Sequence, residues 1–132
     1  MSTRTTLRPE TILTAGNMGA TSFQSTPTVL QGLSMINYAV TWTGTTPTGT
    51  LTLQFSDDYA LSPDGRSVVN AGTWNDVPVD VNGAANASIA ISGNTGNGMI
   101  DVWSTGAYAA RLSYTRSGGT GTMTAVVTGK VS

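Results

Sequence analysis

Residues 36–42 read Ile36-Asn37-Tyr38-Ala39-Val40-Thr41-Trp42, and bulky apolar side chains alternate in them with small or polar ones. Residues 51–55 repeat this period of two as Leu51-Thr52-Leu53-Gln54-Phe55. Because successive side chains of a strand point to opposite faces, each run predicts a β-strand with one face toward a core. The intervening residues Gly44-Thr45-Thr46-Pro47-Thr48-Gly49 are turn formers and predict a hairpin-like loop.

The same alternation recurs along the chain, and Gly-rich segments separate the runs. The other alternating apolar positions are Ile89, Ile91, Tyr108, Ala110, Leu112, Tyr114, Met123, Ala125 and Val127. Turns are predicted at 93–98 and 117–121. With 23 threonines favouring strands and no sustained helical period, the sequence predicts an all-β fold. We expect an antiparallel β-sandwich of seven or eight strands, jelly-roll-like or immunoglobulin-like.

Composition excludes several kinds of chemistry. The 132 residues include no cysteine and no histidine, which removes disulfides, zinc–thiolate sites and histidine-dependent catalysis. We therefore expect no enzymatic activity and no cofactor. Only 10% of the residues are charged, against about a quarter in a typical domain, which suggests that other protein covers part of the surface.

The formal net charge of −1 bears on the partners and the location of the protein. Without a basic stripe, nucleic-acid binding and polybasic attachment to membranes are not expected. No apolar run is long enough for a signal peptide or a membrane span, so we expect synthesis in a cytoplasm.

Residues 1–20 differ from the rest, because their apolar positions Leu7, Ile12 and Leu13 are scattered. We interpret this segment as an extended N-terminal arm and residues 21–132 as the β-sandwich domain. The arm either frays or docks on a neighbouring subunit, where the three apolar side chains would be interface residues.

Acidic residues cluster in the loop 56–65, where Asp57, Asp58 and Asp64 offer carboxylates. These could bind calcium, but the spacing does not match an EF-hand, and Pro63-Asp64-Gly65 is typical of a solvated turn. No second acid is placed for hydrolysis of glycosides.

Aromatic residues raise the alternative of sugar stacking. Tyr59 and Trp74 lie near turns, so we expect them to be exposed contacts. Four other aromatic residues share the apolar phase of their strands and are expected in the core: Tyr38, Trp42, Tyr108 and Tyr114.

Two arginines near the last strand have two interpretations. Arg111 lies on the phase opposite Leu112, and Arg116 follows it. They either protect an exposed strand from aggregation or form an ion pair at a subunit interface, with Asp101 on the preceding strand as a plausible partner.

Three motifs carry a resemblance to a protein family. They are Gly49-Thr50-Leu51-Thr52-Leu53-Gln54-Phe55-Ser56-Asp57-Asp58, then Gly72-Thr73-Trp74-Asn75-Asp76-Val77, then the run 108–122 that begins Tyr108-Ala109-Ala110-Arg111-Leu112-Ser113-Tyr114-Thr115-Arg116. Together they resemble small structural virion proteins of tailed bacteriophages over residues 33–130.

The resemblance implies a β-sandwich that decorates or cements a capsid, located in the virion. It implies a homo-oligomer, with a trimer favoured, that contacts the major capsid protein or other virion proteins. Two alternatives stay open: a carbohydrate- or receptor-binding module on a tail or fibre, and a main shell or tail subunit.

Overall fold

The computed structural model describes residues 6–30, 33, 35–81, 84–86, 88–103 and 107–130, with no side chains described for 6–8, 79–81, 84–86 and 103. The regular secondary structure of these residues consists of β-strands, which confirms the all-β prediction. The strands are β1 (Thr6–Asn17), β2 (Ser22–Gln24), β3 (Thr28–Val29), β4 (Met35–Ser56), β5 (Ala60–Leu61), β6 (Val68–Asn70), β7 (Asn75–Val77), β8 (Val79–Val81), β9 (Ala84–Asn86), β10 (Ile89–Ile91), β11 (Thr95–Trp103) and β12 (Ala109–Lys130). Within the described ranges there is no helix that could cross a membrane.

Two strands of 22 residues, β4 and β12, organise the fold. They pair antiparallel along their whole length, from Ala109 opposite Ser56 to Lys130 opposite Met35. β1, β2 and β3 line the free side of β12, while β11, β10 and β7 line the free side of β4. The result is one ten-stranded antiparallel sheet, with β5 and β6 forming a separate two-stranded sheet.

A corner divides the large sheet at residues 44–48 of β4 and 117–121 of β12. Half-sheet I contains 35–43 of β4, 122–130 of β12, β1 and β11; half-sheet II contains 49–56 of β4, 109–116 of β12, β2, β3, β7 and β10. The predicted turns at 44–49 and 117–121 are therefore wrong, since both strands continue through them. The two segments pair with each other, and the register shifts there leave one extra residue in each strand, a bulge of the kind that bends a strand.

The buried phase changes at the corner in both long strands. In β4 the buried large apolar side chains have even numbers before the corner (36–42) and odd numbers after it (51 and 53). In β12 the buried side chains of Ala110, Leu112 and Tyr114 have even numbers, and those of Met123, Ala125 and Val127 have odd numbers. A bulge that adds one residue to each strand keeps the same sheet face on the core while the strand bends.

Gly119 permits the corner. Its φ is +71°, and a Cβ at this position would lie 2.0 Å from the carbonyl oxygen of Thr46, which itself has a positive φ of 43°. Backbone of this conformation, packed so closely on a neighbouring strand, requires glycine.

The two half-sheets share one hydrophobic core. Ile36, Tyr38, Val40 and Trp42 of half-sheet I join Leu51, Leu53, Leu112 and Tyr114 of half-sheet II in a single cluster. The half-sheets also meet at one edge, where the amide of Thr26 donates to the carbonyl of Ile12 at 2.9 Å. Burying this core is the main favourable term in the stability of the fold.

The predicted N-terminal arm is, over its described part, an edge strand of the same chain. β1 pairs with β12 from Thr6 opposite Lys130 to Asn17 opposite Thr122. Ile12 is 5% exposed and belongs to the core, and Leu13 packs against it. Residues 6–17 therefore pair with β12 of the same chain. The side chain of Leu7 lies outside the described part.

Candidate functional site

A row of polar side chains crosses the outer face of half-sheet II. Arg111 of β12 lies opposite Gln54 of β4, and Gln54 lies opposite Asp76 of β7. These residues occupy the strand phase opposite the buried Leu53 and Leu112, so they point away from the core. We call them the Arg111 row.

Two hydrogen bonds join the members of the row. The Nε–H of Arg111 donates to Oε1 of Gln54 at 2.9 Å, and Nε2 of Gln54 donates to Oδ1 of Asp76 at 2.8 Å. The Gln54 amide is thereby oriented at both ends, because its oxygen faces the cation and its NH2 group faces the carboxylate. The row connects a positive and a negative side chain across three strands.

Trp74 holds the guanidinium from a second direction. The Arg111 Cζ lies 4.3 Å from the centre of the Trp74 ring, a cation–π contact. The indole Nε1–H donates to the carbonyl of Ala71 at 2.8 Å, which fixes the ring. Partial burial lowers the pKa of Arg111 from its usual value, so water solvates this guanidinium less than that of a free arginine.

Hydrogen bonds between Asp58 and Thr73 join the two ends of the segment 57–74, next to Trp74. Oδ1 of Asp58 accepts hydrogen bonds from the Thr73 amide at 2.6 Å and from the Ser56 hydroxyl at 2.8 Å, and Oδ2 accepts from the Thr73 hydroxyl at 2.9 Å. These bonds, led by that from the Thr73 amide, lower the pKa of Asp58. Gly72, with a φ of +88°, brings the chain close to the Ser56 hydroxyl.

The two predicted exposed aromatics lie together, but only one is accessible. Tyr59 and Trp74 have ring centres 5.8 Å apart. Trp74 is half-buried, whereas Tyr59 is 7% exposed, so the expectation that Tyr59 is an exposed contact is wrong. Tyr59 is buried because the loop after β4 folds back, and its amide donates to the Ser56 hydroxyl.

The prediction that Tyr108 lies in the core is wrong. It is 38% exposed although its phase predicts burial, because β12 begins only at Ala109. Tyr38, Trp42 and Tyr114 are buried as predicted.

The remaining carboxylates of the acidic loop are engaged separately. Asp57 accepts from the amide of Tyr108 at 3.2 Å, and Asp64 accepts from the amide of Arg66 at 3.0 Å. In the part of the chain that the structure describes, no three acidic, histidine or cysteine side chains are grouped so that they could hold a metal ion.

The other predicted interface charges lie apart from the Arg111 row. Asp101 of β11 lies opposite Asn37 and accepts a hydrogen bond from its side-chain amide at 2.8 Å. It is therefore no partner of Arg111 within one chain, because β4 lies between β11 and β12. Arg116 is exposed at the corner, and its Nε–H donates to the carbonyl of Gly119 at 2.8 Å.

Sequence reasoning identified Arg111 and Trp74 but missed Gln54 and Asp76. The available signal was their phase, since Gln54 alternates with the buried Leu53 and faces outward. Which outward residues become neighbours depends on strand pairing, and β7 pairs with β4 rather than with a strand adjacent in sequence.

Chemically, the site offers directional hydrogen bonds beside an aromatic ring. Among the described residues, Arg111 donates no hydrogen bond other than that from Nε, and it forms no ion pair. Within the described part of the chain both Nη groups thus keep donors for a further acceptor, and the planar guanidinium suits a carboxylate.

Comparisons with known proteins show the fold. Neither the scan against protein-family models nor the search of curated proteins gives a match. Among solved structures, the chain is similar to the crystal structure of the SPBc2 prophage-derived protein YomS, with a TM-score of 0.58 and 12% sequence identity. The similarity covers 97% of this chain and 98% of that chain. The two proteins therefore share one architecture over almost their whole lengths.

Proposed function

We propose that this chain is a non-enzymatic structural protein of a bacteriophage particle, which decorates or cements the capsid through protein–protein contacts. The observation that carries this proposal is the full-length similarity of its fold to a prophage-derived protein. The resemblance of the three sequence motifs to virion proteins of tailed bacteriophages also supports this proposal. In this proposal the two half-sheets are the layers of a β-sandwich.

The surface of the chain supports a role in assembly. Charged residues make up only 10% of the sequence, and exposed or half-buried threonines occupy the outer face of half-sheet II at Thr50, Thr52 and Thr115. Sheet faces with few charges can pack against other protein without burying many unpaired charges. Repeated across a particle, such contacts add through multivalency.

The proposed partners are further copies of the chain, with a trimer favoured, and the major capsid protein. Immunogold electron microscopy of particles produced by a host that carries the gene tests the location. Label on the heads supports decoration, and label on the tail indicates a tail subunit. Purified particles that contain none of the protein would refute a role in the virion.

Stoichiometry separates decoration from a main shell protein. A decorating protein can be stripped from the capsid, for example by mild denaturant, while the shell stays closed. A main shell subunit would instead be the most abundant protein of the particle, and its removal would open the shell.

A second candidate function is carbohydrate or receptor binding on a tail or fibre. The half-buried Trp74 beside the donors of Arg111 is the observation that favours it. A glycan array tests it, with W74A as the variant that should lose the signal. The stacking of the guanidinium on the ring weighs against this function, because a sugar needs that ring face for its own contact.

A further inference from the structure

We propose that Arg111 is the anchor of a contact between two copies of this chain, in which its guanidinium binds a carboxylate of the second copy. This inference rests on the proposed function and adds the contact residue and the chemistry of its partner. It concerns the outer face of half-sheet II, where Arg111, Gln54 and Trp74 meet.

The first argument is that Arg111 is oriented in advance. Stacking on Trp74 at 4.3 Å fixes the plane of the guanidinium, and the bond from Nε to Gln54 fixes its rotation in that plane. An arginine held in this way loses little side-chain entropy when it binds. Arginine and tryptophan are also the residue types that contribute most to the energy of protein interfaces.

The second argument is that Arg111 forms no ion pair with any carboxylate whose side chain the structure describes. The nearest member of its row, Gln54, is neutral. The guanidinium is half-buried and partly desolvated. A carboxylate that accepts two parallel hydrogen bonds would compensate this cation better than water at a partly covered surface.

The third argument concerns the source of the carboxylate. The chain carries exposed acidic side chains that form no ion pair within the described residues, namely Glu10, Asp57, Asp76 and Asp101. A second copy of the chain thus offers exposed carboxylates of the charge that this guanidinium needs. Strand order separates Asp101 from Arg111 within one chain, but this does not apply between two chains.

The test compares the self-association of R111E with that of R116E by sedimentation velocity. The two variants reverse the same charge on the same strand, and the Nε–H of Arg116 donates to the backbone carbonyl of Gly119 and not to a side chain. We expect R111E to weaken association by about 10- to 100-fold, the range for the loss of a charge-assisted hydrogen-bonded pair. We expect R116E to associate like the wild type.

Cross-linking identifies the partner group and keeps the test valid if R111E unfolds. R111K retains the charge and introduces an amine, which a carbodiimide joins to a carboxylate in contact with it. Mass spectrometry should find this amine joined to an acidic residue of a second copy, with R116K as the matched control.

Several outcomes would overturn the inference. They are a wild type that stays monomeric at millimolar concentration, equal association of R111E and R116E, a cross-link of R111K to a different protein, and a glycan ligand whose binding requires Arg111. If the protein is found on particles while R111E assembles normally, the proposed function stands and only this contact is refuted.

Discussion

The guanidinium of Arg111 stacks on the ring of Trp74 at 4.3 Å, although the two residues are 37 positions apart in the sequence. This contact joins β12 to the loop that precedes β7. It stabilises the fold of the chain and orients the arginine that we propose as an anchor between copies.

R111A should lower the free energy of unfolding by about 1 kcal/mol, because it removes the cation–π contact and the hydrogen bond to Gln54 from a partly exposed site. Urea denaturation measures the change, and R116A is the matched control. R111K should lie between the wild type and R111A. Equal losses in R111A and R116A would contradict a specific role for the Trp74 contact.

G119A should destabilise the chain by more than about 2 kcal/mol, since alanine at a positive φ is strained and its Cβ would meet the Thr46 carbonyl at 2.0 Å. The neighbouring Gly118 provides the control, because a Cβ there would have no atom within 4 Å. Thermal unfolding of both variants checks this, and a G118A variant as unstable as G119A would speak against the corner.

Y38F should leave the stability unchanged or raise it slightly. The side chain of Tyr38 is fully buried, and neither its hydroxyl nor that of the neighbouring Thr28 forms a hydrogen bond of normal geometry among the described residues. Removing a buried, unpaired polar group avoids its desolvation cost. Y38A should instead cost about 3–5 kcal/mol, because it leaves a cavity. A large loss in Y38F would mean that a buried water or another group satisfies the hydroxyl.

The free energy of unfolding should fall at alkaline pH because of Tyr38. Burial raises the pKa of Tyr38 well above its usual value near 10, so folding favours the neutral phenol. Its contribution is complete below about pH 10 and is lost as the pH rises toward the folded-state pKa, since the unfolded chain ionises first. Urea titrations from pH 8 to 11 should show a smaller decline in Y38F than in the wild type. Burial also raises the pKa of Tyr114, so part of the decline should persist.

How much the sequence predicts is clearest in the long strands. The alternation at 36–42 correctly identifies the buried side of β4, because the period of two is a local property of an extended chain. The prediction of turns at 44–49 and 117–121 is wrong because it too uses only local sequence. Gly, Thr and Pro in these segments permit a turn or a bend equally, and only the pairing of the two segments with each other produces a bend.

The candidate site also combines features that the sequence predicts with features that only the structure shows. Sequence alone identifies Arg111 as a charge on an outward phase and Trp74 as an aromatic residue near a turn, since both follow from neighbours in the chain. It does not show that Arg111, Gln54 and Asp76 share a row, or that Tyr59 is covered, because these facts depend on which distant strands pair. The sequence by itself thus determined which segments form strands and which of their side chains face the core, because both are local properties. Long-range hydrogen bonding around one core decided the corner, the pairing of residues 6–17 with β12 and the Arg111 row.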